Sequence, residues 1–388
     1  MGSPSGRLTV GLNLLWLVPG DVGGTEEYAV TFVRQMAKVA DLDLVAFCQP
    51  GLLAAYPEMA DCASVVVAPR GGRRRSVRLV YENSWLPQQL RGIHPRVDVV
   101  HHLGGTVPPT VSQPAVLTVY DLQPLTHPER FGAVKRRWLN VVLPQSVRRS
   151  RSVFTLSRFV GRQLQDHLGT PDEQVVVVPP GPLPVGVTGA LDGPSPVAQA
   201  GTVCERYGLV GPVLLYPAIT YGHKNHQVLV RALPQVLARH PTATLVCTGR
   251  PGPVDHEVVS LAQALGVGPA VRRLGRIPRA DLAELYRVAS ALVFPSTHEG
   301  FGLPLLEAME HGCPIVAADA SAIPEIVGAH GQLLDPADPT AWAEAITALL
   351  DGPAHRRTLA DAASAGRARF SWDTTVERTL AAYRRAAA

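Results

Sequence analysis

Cysteine is scarce in this 388-residue chain: Cys48, Cys62, Cys204, Cys247 and Cys313 stand far apart, with no CxxC pair and no Cys/His spacing of the zinc type. A disulfide framework and a zinc motif are therefore not expected, and the thiols read as buried side chains in a reducing compartment. Charge is also sparse. Asp, Glu, Lys and Arg make up 18% of the residues and the formal net charge is +4, too mild for a dedicated nucleic-acid binder. No apolar run approaches the roughly 20 residues that span a bilayer. Met1 to Arg7 lack the charged-then-apolar pattern of a leader, so a cytoplasmic location is expected. The glycine turn Pro19 to Tyr28 is not GxGxxG, which leaves a dinucleotide fingerprint unsupported.

What the chain does have is apolar residues, 46% of the total, and enough length for two cores. Short runs rich in Val, Leu and Ile recur at 8–18, 41–48, 64–69, 97–103, 115–122, 151–157 and 174–180. Their hydrophobicity is continuous rather than alternating, as in parallel strands covered on both faces. Residues 181–201 are dense in Gly and Pro and break the rhythm. It restarts at 213–218, 244–248, 271–274, 291–295, 314–318 and 331–334, with helical stretches such as Gln227 to His240 and Asp281 to Ala289 between the runs. The pattern predicts an α/β fold of two Rossmann-like, doubly wound parallel-sheet domains, residues 1–185 and 186–370, facing a central cleft. A terminal helix, 371–388, follows and packs back on the first domain. In such sheets ligands bind beyond the carboxyl ends of the strands, so the loops there are where chemistry is sought.

One such loop stands out. Ala291 to Ser296 reads as a buried strand, Thr297-His298-Glu299-Gly300-Phe301-Gly302 as a glycine turn, and Leu303 to His311 as a helix with Pro304 in its first turn. The free N–H groups and dipole at that helix start suit a phosphate, and the glycines let backbone approach it. Glu299 and Glu307 flank the same place. Carboxylates beside a phosphate need donors of their own, which sugar or ribose hydroxyls supply. Either glutamate alone reads as an ordinary solvated residue; together, in EGFGLPLLE, they do not.

These residues resemble the E-x7-E signature of the GT-B glycosyltransferases of family 4, and the likeness runs through LGRIPRADLAELYRVASALVFPSTHEGFGLPLLEAMEHGCPIVAADASAIPEIVG. The resemblance implies that Glu299 binds hydroxyls of the transferred sugar, that Glu307 binds the ribose, and that the amides of Phe301, Gly302 and Leu303 meet sugar and diphosphate. In YPAITYGHKNHQVLVRAL it assigns Lys224 to the diphosphate and Asn225 to the donor site, and Gly275-Arg276-Ile277 to the base pocket. The arginine that often accompanies the lysine is missing. Ala218, Ile219 and Thr220 occupy its plausible positions, with His223 or Arg250 as substitutes.

In the first domain the resemblance assigns Gly24 to close approach of the donor. It matches AVLTVYDLQPLTHPERF to a strand-end His-Asp element, where Tyr120-Asp121 stand instead. A tyrosine still donates to a sugar hydroxyl, so Tyr120 and Asp121 join Lys224 and Glu299 as expected catalytic residues. Basic residues cluster at Arg70, Arg73, Arg74, Arg75 and Arg78 and along Lys135, Arg136, Arg137, Arg148, Arg149 and Arg151, near Trp85 and Trp138. Two readings stand for them: peripheral contact with an anionic membrane, or a solvated basic face.

By resemblance the reaction is retaining hexosyl transfer by front-face attack, with no protein nucleophile and no metal, from a nucleotide-diphosphate sugar to a glycan, lipid-linked or small-molecule acceptor. GGTEEY, HKNH and LQPLTHPERF resemble mannosyltransferases of the family, which points to GDP-mannose. Alternatives on the same architecture are an epimerase, a phosphorylase or a nucleotide-sugar-binding protein without catalysis.

Overall fold

A computed structural model of the protein describes residues 7–21, 23–72, 75–183 and 202–388. Most of the Gly- and Pro-rich stretch, 184–201, lies outside the described residues, as do Arg73 and Arg74 of the first basic run. The described chain divides into two compact units. One runs to Leu183 and includes Phe370–Ala388; the other extends from 202 to Arg369.

In the first unit, β1 (Leu8–Asn13), β2 (Leu42–Cys48), β3 (Ser64–Val67), β4 (Val99–His102), β5 (Ala115–Val119), β6 (Ser150–Thr155) and β7 (Val175–Val177) form one sheet in the order β3-β2-β1-β4-β5-β6-β7. All its pairings are parallel. The second unit has β8 (Val213–Pro217), β9 (Thr244–Thr248), β10 (Val271–Gly275), β11 (Ala291–Phe294), β12 (Ile315–Ala318) and β13 (Gln332–Leu334), also parallel, in the order β10-β9-β8-β11-β12-β13. Each strand falls on one of the apolar runs. Where a run outlasts its strand, the extra residues are a buried turn: Leu14, Leu15 and Leu17 are buried, but the Leu17 N–H bonds back to the Leu14 carbonyl.

Chain order reverses between β1 and β4 and again between β8 and β11. Neighbouring loops part in opposite directions there and leave a crevice at the strands' carboxyl ends. The loop that follows β1 leads into the helix that begins at Gly24, and the loop after β5 carries Tyr120; those that follow β8 and β11 carry Lys224 and Glu299.

The helix Trp372–Ala387 packs on the first unit. Its Tyr383 ring stacks on Phe154, and its hydroxyl lies 2.6 Å from Nδ1 of buried His101, whose Nε2 is 2.7 Å from Thr118 Oγ1. Trp372 stacks on Tyr28 and donates to the Pro182 carbonyl at 2.8 Å. No helix among the described residues is long and apolar enough to cross a membrane.

Candidate active site

Four buried residues of β11 deliver the chain to the turn at Glu299. Gly302, at φ 96°, caps the helix Leu303–Glu310, with Pro304 in its first turn. A side chain at Gly302 would be strained at that φ and would crowd Leu305 at 3.0 Å. The amide of Leu303 sits in the first helical turn, where N–H groups have no intrahelical acceptor. Phe301 turns its side chain into the core, 4% exposed, and thereby fixes the turn's backbone.

The Glu299 carboxylate does not wait for a ligand to find a donor. Lys224 Nζ lies 2.6 Å from its Oε1, with the two side chains 20% and 11% exposed. The backbone N–H of Glu299 donates to Ser321 Oγ at 2.9 Å, and Ser321 holds a left-handed φ of 55°, a strained conformation of the kind that gathers at functional sites.

Three links bind the Lys224 turn to the end of β11. The Tyr216 hydroxyl donates to the Lys224 carbonyl and lies 3.1 Å from Ser296 Oγ. The Thr297 N–H donates to the His223 carbonyl at 2.8 Å. Asn225, at φ 53°, donates its amide hydrogens to the carbonyls of Pro295 at 3.3 Å and Pro336 at 2.8 Å. Those bonds commit the amide nitrogen of Asn225 to holding loops of the site together.

Glu307 is 9% exposed and is met by Arg279 at 2.6 Å and by the Tyr286 hydroxyl at 2.8 Å. Burial, followed by the charge of Glu307, pushes the Tyr286 phenol well above its ordinary range, so it remains a donor. Neither partner belongs to the E-x7-E signature. Their spacing was available: Arg279 and Tyr286 lie two turns apart on the helix Arg279–Val288 and therefore share a face.

Beyond the ends of β8, β9 and β10 lies a cavity of about 340 Å³ lined by Ala218, Thr220, Gly249, Arg250, Arg273 and Gly275. Asp255 at its wall accepts from Thr220 at 2.9 Å and from Arg273 at 2.5 Å to each oxygen. Arg276 is exposed and Ile277 is 9% exposed, directly after Gly275. Ala218 and Thr220, at the positions of the missing arginine, line this cavity together with Arg250. Among the described residues no group of three or more His, Cys, Asp and Glu is placed to hold a metal ion.

In the first unit the helix Gly24–Met36 starts from Gly23 at φ 62°, with Gly24 exposed at its first position. Glu26 and Glu27 already supply negative charge to that helix start. Their charge offsets the positive end of the helix dipole there.

Tyr120 departs from expectation. Its hydroxyl is buried and has no hydrogen-bond partner among the described residues. The ring lies 5.8 Å from Tyr28, edge-on, and 6.2 Å from Trp16. The hydroxyl thus belongs to an aromatic cluster and is not presented to a sugar. Asp121 accepts from the backbone and side-chain N–H groups of Gln123, both at 3.1 Å, and Gln123 accepts in turn from Arg130 at 2.9 Å. It is anchored in its own turn. In the basic run, Arg78 donates to the Trp16 carbonyl at 2.7 Å.

Two parallel doubly wound units, with an ion-paired lysine and glutamate at the switch point of the second, have the GT-B architecture. Residues 22–181 match the model of Glycosyltransferase Family 4 and residues 211–352 that of Glycosyl transferases group 1. The chain belongs to this family and is a glycosyltransferase. It is 26% identical over 376 residues to O-antigen chain mannosyltransferase B of Escherichia coli, covering 93% of this chain and 96% of the relative. It is 37% identical over 239 residues to the D-inositol 3-phosphate glycosyltransferase of Acidothermus cellulolyticus, covering 58% of this chain and 51% of the relative. Among solved structures, sucrose-phosphate synthase from Thermosynechococcus elongatus superposes with a TM-score of 0.75 at 20% identity, over 98% of this chain and 99% of the other. HepE of Anabaena in complex with UDP and glucose gives 0.71 at 20% identity, over 97% and 99%.

Proposed function

We propose that the protein transfers a hexose, with mannose favoured, from a nucleotide-diphosphate sugar to a glycan, lipid-linked or small-molecule acceptor, with retention of configuration. The observation that carries this reading is the Lys224–Glu299 pair at the β8/β11 switch point, beside the Leu303 helix start. On this reading Lys224 and the helix amides stabilise the charge that develops on the departing diphosphate, and Glu299 orients the sugar, so catalysis is electrostatic and positional. Glu307, held by Arg279, binds the ribose, and the cavity beside Gly275 takes the base. Mannose, and with it GDP-mannose, is supported by the likeness to an O-antigen mannosyltransferase over nearly the whole chain.

The leaving group's charge is met by Lys224 and backbone amides, so the proposed reaction needs no metal ion. The proposed setting is the cytoplasm, with peripheral contact at an anionic membrane. The helix Ala133–Arg149 supports that contact: it bears five cations and no acidic residue, and it exposes Val134 by 87% and Val141 by 53%.

A panel of nucleotide sugars tests the donor. The true donor raises the melting temperature through its binding to the folded state and yields labelled glycoside in the presence of EDTA. Stabilisation by UDP-sugars but not GDP-mannose would refute the mannose assignment, and an inverted product would refute retention.

A further inference from the structure

The glycine turn that precedes the Gly24 helix is closed by a side chain that the proposed mechanism does not use. Glu26 occupies the third helical position and is 1% exposed. At that position a glutamate commonly reaches back to the N–H of the residue capping its helix. Here it reaches further. Its Oε2 accepts from the backbone N–H of Gly20 at 2.8 Å, where the turn begins, and its Oε1 accepts from the Tyr56 hydroxyl at 2.8 Å. Gly23, the capping residue, has no side chain with which to cap the helix. One carboxylate therefore ties the entrance of the turn to its exit and fastens both to Tyr56, at the end of the helix Pro50–Ala55. A carboxylate buried with one amide and one hydroxyl as partners costs stability that an apolar residue would not, apart from the favourable field of the helix start. Its geometry, not its contribution to the core, explains its presence.

We propose that Glu26, braced by Tyr56, is a positioning residue that sets the backbone of the Gly20 to Gly24 turn for the donor. The proposal rests on the reading that this turn meets the donor at Gly24. The experiment compares E26A, E26Q and Y56F with the parent enzyme by donor KM, kcat, melting temperature and amide exchange across residues 19–25. A glutamine keeps both links, its carbonyl accepting from Gly20 and its amide donating to the Tyr56 oxygen. E26A is expected to exchange faster at the turn and to raise donor KM by about tenfold, E26Q to recover most of that loss, and Y56F to fall between them. Unchanged exchange at the turn in E26A would overturn the latch itself. Faster exchange with unchanged donor KM and kcat would instead overturn the role of the turn in donor binding. A lower melting temperature with parental KM and kcat in the folded fraction would reduce Glu26 to a part of the core and overturn the proposal. Should E26A fail to fold, Y56F decides alone, since it removes only one hydroxyl.

Discussion

Replacing Lys224 by alanine separates what its ion pair does for the fold from what its charge does for the reaction. Lys224 Nζ and Glu299 Oε1 are 2.6 Å apart and four-fifths or more buried. A hydrogen bond to a charged partner at such a site contributes about 1.5–3 kcal/mol. Partial exposure lowers that figure, so a loss of about 2 kcal/mol is expected without donor. For a unit of this size that corresponds to a fall in melting temperature of about 4–8 °C. The kinetic cost is separate and larger. If Lys224 meets the charge that develops on the diphosphate, its removal costs about 2.7–4 kcal/mol of transition-state stabilisation, or about 10²–10³ in kcat. Glu299→Gln, alone and combined with K224A, distinguishes the two. Once both partners are neutral no buried charge is orphaned, so the double variant recovers stability relative to the sum of the singles, by about 0.5–3 kcal/mol. Turnover does not recover. Melting curves of the apoenzymes and kcat at saturating acceptor measure both quantities. A K224A enzyme within about threefold of parental kcat would contradict the role of Lys224 in turnover, and strictly additive stabilities would contradict its coupling to Glu299.

Three further outcomes follow from the same geometry. Arg279→Ala leaves Glu307, 9% exposed, with Tyr286 as its remaining donor of those described above; denaturant titration should show a loss of about 3 kcal/mol, and Tyr286→Phe about 1 kcal/mol. Tyr120→Phe removes a buried hydroxyl that has no partner among the described residues, so the melting temperature should hold or rise and turnover should persist; a fall in kcat of tenfold or so would return that hydroxyl to the reaction. Burial, its largest cause, holds His226 down to about 4, against an ordinary value of 6.5, so the folded chain keeps it neutral while the unfolded chain gains a proton on acidification. Its contribution is whole above pH 6.5 and declines by about 1.4 kcal/mol per pH unit down to about 4, so His226→Leu should flatten the acid limb of stability by that slope; an unchanged slope would contradict it.

The strands were legible because a covered parallel strand is a continuous apolar run, and β8 or β11 can be little else. Their ends were less legible. Turns that are themselves buried, such as Leu14 to Leu17, carry the same apolar signal as the strand before them. The helix start at Leu303 was legible for a local reason: Gly302, Pro304 and the two glutamates fall within nine residues, and each constrains the backbone or its charge where it stands.

Pairing was not legible, because it links residues far apart in sequence. Lys224 and Glu299 are 75 positions apart, and the turn bearing the lysine reaches the glutamate only because chain order reverses between β8 and β11. Asn225 and Tyr120 show the same limit from the other side. Residue type said what each could donate, but the fold decided whether the donor was already engaged. The amide nitrogen of Asn225 donates to Pro295 and Pro336, and the phenol of Tyr120 is enclosed beside Trp16 and Tyr28. A motif therefore identifies residues whose chemistry suits a ligand, and only the fold shows what each of them already holds. On the function proposed above, the second unit's chemistry rests on Lys224, Glu299 and Glu307, whose charges are paired in advance, and the first unit's contribution rests on backbone shape at the turn that Glu26 closes.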